Sequence, residues 1–403
     1  MIEKYKDFYS ELELLKQKNL YRKIRPPFFH SENNTIEKNG QHLINLSSND
    51  YLGFAFDKDL IKSFIEKMNS ENIENYYLAS SGSRLLSGNS FAYEELEDKI
   101  SLSYRRRSVI IFNSGYHANV GIIPALVGKE DGIFLDKLCH ASIIDGVMLS
   151  GASFHRYNHL DYDHLETLLK KYRGNCKRAI IITESVFSMD GDIADIKILN
   201  GLKNRYNLLL YVDEAHAVGV FGNNGLGIAE RENIISEVDL ILGTFGKAFA
   251  SIGSFLVCDK VIKEYLINKM RSFIYTTALP PMVLSWNRFV FEKSLSDNGA
   301  SRRKHLNLIS DNFRERLKEN GFSTIGNSQI VPLVTFSNNS AIKFSEELIK
   351  KGFYALPVRY PTVPKGKSRI RFSITANLTE NQLDNLVNAL KEIKDAGMLA
   401  LQD

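Results

Sequence analysis

Six short apolar runs punctuate the middle of the chain: Ser108–Phe112, Gly132–Leu135, Ala179–Thr183, Leu208–Val212, Leu240–Thr244 and Ser254–Cys258. Helical patterns fill the intervals between them. Apolarity that is continuous rather than alternating is what a strand buried on both faces requires, and such strands belong to parallel sheets covered by helices. The expected fold is α/β, a mainly parallel sheet flanked by helices over roughly residues 60 to 260. Upstream, Tyr5, Phe8, Leu12, Leu15 and Leu20 recur at near-helical spacing, Pro26-Pro27 breaks the chain, and Gly40 ahead of His42-Leu43-Ile44-Asn45-Leu46 reads as a hairpin-like strand pair. After Pro280-Pro281 the rhythm changes. A helix near 303–320 precedes the strand Gln329–Phe336, a helix at 341–351, strands near 354–358 and 368–375, and a closing helix at 378–396. The spacing predicts an N-terminal helix and strand segment over 1–50, a large domain over 51–288 and a smaller α+β domain over 289–403.

Composition excludes several functions. The chain has 403 residues with 51 Lys+Arg against 47 Asp+Glu, a net +4 that is too small for a dedicated nucleic-acid binder. The one basic run, Arg105-Arg106-Arg107, follows the acidic stretch Glu94, Glu95, Glu97 and Asp98 and reads as a solvated turn. No apolar stretch reaches the roughly 18–20 residues of a membrane helix, and the opening Met1–Lys6, which carries Glu3, lacks the apolar core of a signal peptide. Cys139, Cys176 and Cys258 have no metal-like spacing, so no metal is expected, and their odd, sparse number fits a reducing cytoplasm.

Two glycine motifs are false leads. Gly246-Lys247 lacks the upstream Gly and the following Ser or Thr of a P-loop, having Ile241 and Ala248 at those places. Gly222-x-x-Gly225-x-Gly227 has the wrong spacing for a dinucleotide fingerprint and reads as a turn. Asp213-Glu214-Ala215-His216 carries more. It ends the run Leu208–Val212, where open parallel sheets place ligand groups, although Asp213 alone reads equally well as a helix cap. About thirty residues on, Thr244-Phe245-Gly246-Lys247 ends a second run, with Lys247 the one charge between Ile241 and Val257. A Lys stranded in apolar sequence tends to a lowered pKa, which suits Schiff-base chemistry. Ser114-Gly115-Tyr116, between a strand and the helix expected at 117–127, supplies amides for a phosphate. Lys, Asp, His and a phosphate cradle together are the parts that pyridoxal phosphate needs.

On these residues the sequence resembles the α-oxoamine synthases, pyridoxal-phosphate enzymes of aminotransferase fold type I, over essentially its whole length. The likeness rests on Leu46–Gly53, His140-Ala141-Ser142, Glu184–Asp192, Val212–His216, Gly243–Lys247 and Ile274–Pro281, six segments in order. The resemblance implies that Lys247 holds the cofactor aldehyde, Asp213 the pyridinium nitrogen and His216 the phenolic oxygen, with His140 stacked on the ring. It implies phosphate contacts from the amides of Gly115 and Tyr116 and the hydroxyl of Thr244, with Ser188 lining the site. Asn49 and Arg371 would hold the amino acid's carboxylate. A homodimer with shared active sites is implied, in which Thr276 and Thr277 reach the neighbouring subunit's cofactor phosphate.

Within the family, Gly82–Asn89, Pro361–Gly366 and Leu20-Tyr21-Arg22 are similar to the branch of biotin synthesis that condenses L-alanine with a pimeloyl thioester, carried on coenzyme A or on an acyl carrier protein. Arg22 and Thr362 would then recognise the far end of the acyl chain. Other acyl specificities of the family, and an aminotransferase of the same fold, would use Lys247 and Asp213 equally well.

Overall fold

The computed structural model describes residues 3–18, 20–31, 34–38, 40–105 and 107–397; Met1, Ile2 and Arg106 of the segments discussed above lie outside this range. The chain opens with the helix Lys6–Gln17, whose apolar face is exposed throughout. A small antiparallel ribbon follows: β1 (Phe29–Ser31), β2 (Thr35–Lys38) and β3 (Gln41–Asn45), the expected hairpin.

The central sheet uses β4 (Ser108–Phe112), β5 (Gly132–Asp136), β6 (Ser153–Tyr157), β7 (Ala179–Glu184), β8 (Leu209–Asp213), β9 (Leu240–Thr244) and β10 (Ser254–Cys258). Their order is β4-β10-β9-β8-β7-β5-β6, and β10 alone runs against its neighbours. The continuous apolar runs are explained by burial on both faces. Val109 and Ile111 join one hydrophobic cluster while Ile110 and Phe112 join the other; Leu210 and Val212 oppose Tyr211 in the same way. Helices Gly115–Leu126 and Ala141–Ser150 cover one face through Ile122, Ile123, Ile143 and Val147. Strand β6 escaped the sequence reading because it is an edge strand, and Ser153-Phe154-His155-Arg156 keep one side to solvent.

The C-terminal region holds β11 (Ile330–Phe336), β12 (Phe353–Tyr354), β13 (Pro357–Val358) and β14 (Ser368–Ser373), with helices Asp297–Glu319, Asn338–Lys350 and Glu380–Asp395. The single strand expected near 354–358 is two. Phe353–Tyr354 pairs parallel with β3, and Pro357–Val358 turns to pair with β14. Between them the Ser47 hydroxyl accepts the Leu356 amide at 3.0 Å, giving the kinked backbone a partner. β14 lies antiparallel to β11, with Pro332 opposite Arg371.

The Arg105–Arg107 run is not simply solvated. Arg105 is exposed, but Arg107 is half-buried and donates to the carbonyls of Ile235, Val238 and Asp239 at 2.8, 2.6 and 2.8 Å. Three converging carbonyls supply the polar partners that make burial of a guanidinium tolerable. Among the described residues no helix is long and apolar enough to cross a membrane.

Candidate active site

The carboxyl ends of β5, β7, β8 and β9 meet at one edge of the sheet, and there the chain gathers its ionisable residues. Glu184 ends β7 directly opposite Asp213, the last residue of β8. Thr244 ends β9, and Lys247 follows in a turn closed by Ser251 N–H to Phe245 C=O at 2.9 Å and Ala250 N–H to Lys247 C=O at 2.8 Å. A cavity of about 180 Å³ opens between these ends and the start of helix Gly115–Leu126. Of the predicted residues, Gly115, Tyr116, His140, Asp213, His216, Thr244 and Lys247 line it.

Both carboxylates have definite holders. Asp213 accepts from Asn119 Nδ2 and from the Ala215 amide, both at 3.0 Å. Asn119 is fixed in turn by the Tyr211 hydroxyl at 2.5 Å and the Ser142 hydroxyl at 3.0 Å. The nearby Glu184 accepts the His140 amide at 2.6 Å. Burial, then the negative charge of Asp213, raises the carboxyl of Glu184 above its ordinary range, with Lys247 acting against them. Burial lowers Lys247 in the opposite sense, with Arg371 adding to it and Asp213 and Glu184 resisting. A lysine so placed shares a proton easily near neutral pH. His140 caps the helix Ala141–Ser150 through Nδ1, which receives the Ser142 amide at 3.2 Å. Burial lowers its pKa, and it lowers that of His216 much further, with the charges of Lys247 and Arg371 adding to the effect.

A second cluster adjoins the cavity. Arg371 donates to Asn49 Oδ1 at 3.2 and 3.3 Å, to the Ser373 hydroxyl at 2.6 Å and to the Tyr51 hydroxyl at 3.1 Å, while its Nε meets the Ser188 carbonyl. Tyr51 then contacts His216 Nδ1 at 2.7 Å. Ser188 therefore enters through its backbone rather than as a lining hydroxyl. Tyr51 and Asn119 hold residues of the candidate site, and the sequence reading did not single them out. Tyr51 had a signal, standing two residues from Asn49 within Leu46–Gly53; Asn119, in the second turn of the helix Gly115–Leu126, had none.

The remaining predicted residues lie apart. Arg22 reaches Thr362 across 340 residues of sequence, Nη2 to Oγ1 at 3.3 Å, on an exposed face. Thr276 and Thr277 lie outside the cavity of this chain; Thr277 is exposed and its carbonyl accepts from Asn113 at 2.8 Å. The Thr244 hydroxyl donates to the Gly253 carbonyl at 3.0 Å and accepts the Gly246 amide at 3.1 Å, so it is more engaged than a free phosphate donor would be.

These residues fit pyridoxal phosphate. The cavity joins an amine, a held carboxylate and an imidazole. At its mouth Ser114 takes the amides of His117 and Ala118, and the amides of Gly115 and Tyr116 have no protein partner among the described residues. A Cβ added to Gly115 would meet nothing within 4 Å, so the helix start is open to an anion.

Comparison with known proteins agrees. Residues 41–390 match the family model described as aminotransferase class I and II. The chain is 46% identical over 388 residues to the 8-amino-7-oxononanoate synthase of Haemophilus ducreyi, covering 95% of this chain and 99% of that protein. Among solved structures, Sphingomonas wittichii serine palmitoyltransferase superposes with a TM-score of 0.87 at 27% identity, over 99% of this chain and 100% of that one. The Francisella tularensis 8-amino-7-oxononanoate synthase superposes with a TM-score of 0.74 at 28% identity, over 89% and 99% respectively.

Removing the Tyr51 hydroxyl leaves His216 Nδ1 unpaired in a buried setting, a loss of about 1–3 kcal/mol. Tyr51→Phe is expected to lower the urea midpoint accordingly, while Tyr77→Phe, at an exposed position, leaves it unchanged. Equal midpoints for both variants would mean that the Tyr51–His216 contact contributes nothing to stability.

Proposed function

Since this chain belongs to the class I and II aminotransferase family, as a pyridoxal-phosphate-dependent acyltransferase of the type I fold, we propose that it condenses L-alanine with a pimeloyl thioester. The products would be 8-amino-7-oxononanoate, CO2 and free thiol, a step of biotin synthesis that we place in the cytoplasm. The observation that carries the choice of acyl donor is the Arg22–Thr362 contact. A guanidinium and a hydroxyl converge there, as recognition of a chain ending in a carboxylate requires, in a protein 46% identical to an 8-amino-7-oxononanoate synthase.

The cofactor, when bound, supplies an electron sink that makes an amino acid's Cα–H acidic. The protein's residues do the rest. Lys247 Nζ would hold the cofactor aldehyde and would take the Cα proton of bound L-alanine, a task its lowered pKa suits. Asp213, held on both oxygens, offers a fixed negative charge to the ring nitrogen. His216, neutral and gripped at Nδ1 by Tyr51, presents Nε2 to the phenolic oxygen, and His140 presents a flat face to the ring. The amides of Gly115 and Tyr116 would receive the phosphate, and Thr244 would join them on releasing the Gly253 carbonyl. Arg371 and Asn49 would bind the alanine carboxylate by a charge-assisted fork and so orient Cα for loss of its proton. After Cα attacks the thioester carbonyl and the thiol leaves, the new ketone stands β to that carboxylate. Arg371 then gives it up as CO2, and Lys247 or His216 returns a proton to Cα.

We also read the protein as a homodimer with shared sites. Thr276 and Thr277 do not reach their own chain's cavity, and Tyr275 beside them is 74% exposed, as a segment directed at a partner would be.

Borohydride reduction of the loaded protein is expected to fix the cofactor on the peptide containing Lys247, and Lys247→Ala to lose thiol release by orders of magnitude. A label on another peptide overturns the assignment. Thiol release is to be screened with L-alanine, glycine and L-serine against acyl thioesters of varied length and terminus, on coenzyme A and on acyl carrier protein. Pimeloyl with L-alanine should be preferred, and turnover of a keto acid without thiol release would point to an aminotransferase. For Arg22→Ala, the KM for the pimeloyl thioester should rise by about 10- to 150-fold with the KM for L-alanine unchanged; equal rises would reject far-end recognition. Sedimentation should give a dimer, and mixing Lys247→Ala subunits with a Thr276→Ala, Thr277→Ala double variant should partly restore activity, which a monomer or a silent mixed dimer would contradict.

A further inference from the structure

Outside the cavity, one half-buried histidine links three loops. His159 follows β6 and places Nδ1 3.0 and 3.1 Å from the two oxygens of Asp136, and Nε2 3.1 Å from Asp192 Oδ2. Its ring stands edge-on to Phe187 at 4.4 Å. Asp136 is fully buried at the end of β5 and also accepts the amides of Leu138 and Leu160 at 2.8 and 3.0 Å, so it orders the turn that leads to His140. Leu160 takes a left-handed φ of 54° to make that bond, a backbone strain held by the cluster. Burial disfavours the imidazolium, but hydrogen bonds to Asp136 and Asp192 outweigh it and raise the His159 pKa to about 9.

Asp192 closes the loop 187–192, which is tied within itself, by the Asn327 amide on the Gly191 carbonyl at 3.0 Å, and by two arginines of β14. The Phe187 amide bonds the Asp192 carbonyl at 3.0 Å, Arg369 grips Asp190 and the Met189 carbonyl, and Arg371 Nε bonds the Ser188 carbonyl. Gly191 has φ +72°, and a Cβ there would come 2.2 Å from the Ile330 carbonyl, so the loop is pressed on the strand beside β14.

We propose that His159 is a positioning residue: its imidazolium, shared between Asp136 and Asp192, locks the turn before His140 to the loop 187–192 and thereby fixes the pose of Arg371 toward the amino acid's carboxylate. This rests on the reading of Arg371 given above. Because both ring nitrogens must donate, a residue with one donor at that reach breaks one of the two ties, and each tie matters only while the other is made.

The test uses the cofactor-loaded protein carrying His159→Gln, Asp192→Asn or both. Hydrogen exchange of the peptide spanning 187–192 should quicken in each variant. The L-alanine dissociation constant, read from the visible absorbance of the bound cofactor, should rise by about tenfold or more, with the thioester KM within about twofold of wild type. The double variant should be no worse than the poorer single one, since the clamp acts as a unit. If His159→Gln does not fold, Asp192→Asn alone carries the comparison. Unchanged exchange in 187–192 overturns the clamp. Quickened exchange with unchanged L-alanine binding overturns the positioning role through Arg371, and equal loss toward both substrates reduces His159 to a structural part.

Discussion

Three carboxylates, Glu184, Asp213 and Glu214, are buried at the ends of two adjacent parallel strands with one ammonium, Lys247, above them. A charge taken out of water must find hydrogen bonds or lose its proton, and the surrounding chain is arranged to answer that demand. Glu214 shows it most plainly. Its oxygens take the Ser185 hydroxyl at 2.6 Å and the amides of Ile228 and Ala229 at 2.9 and 2.8 Å. Those amides are brought in by Gly227, at φ +102°, where a Cβ would lie 2.6 Å from the carboxylate. The glycine-rich turn Gly222–Gly227 thus delivers the backbone donors that follow it to a buried acid.

The same constraint separates what the sequence reveals from what it conceals. Continuous apolar runs disclose strands covered on both sides, because burial there leaves no choice of residue type. Lys247 and Asp213 stand out for the opposite reason, as charges where apolar neighbours offer them no solvent. Residues that satisfy those charges carry no such mark. Asn119 sits on a helix, and Tyr51 could be any core aromatic. Arg107 is one of three basic residues in a row, and only the three carbonyls around it, from residues 235, 238 and 239, distinguish it from its exposed neighbour Arg105. Their partners lie about 90 to 320 residues away in sequence, so the pairing becomes visible only once the sheet order is known. Thr244 is the converse. Its place at the end of β9 was legible, but the turn that presents Lys247 already engages its hydroxyl with Gly253.

Two arginines on one face of β14 differ in how their charge is met. Arg369 is buried and paired with the Asp190 carboxylate, which neutralises it and anchors the loop 187–192. Arg371, two residues on and only partly buried, is surrounded by an amide oxygen, two hydroxyls and a backbone carbonyl, with no carboxylate partner among the described residues. Neutral dipoles orient a guanidinium without cancelling its charge, and part of its fork stays electrostatically unfilled. That residual charge adds to the lowering of the pKa of both Lys247 and His216, keeping the amine readily deprotonated and the imidazole neutral. An anionic amino acid arriving at Arg371 would remove the same repulsion. On the proposed reading of Arg371 as the carboxylate holder, filling the fork would therefore favour the protonated form of Lys247.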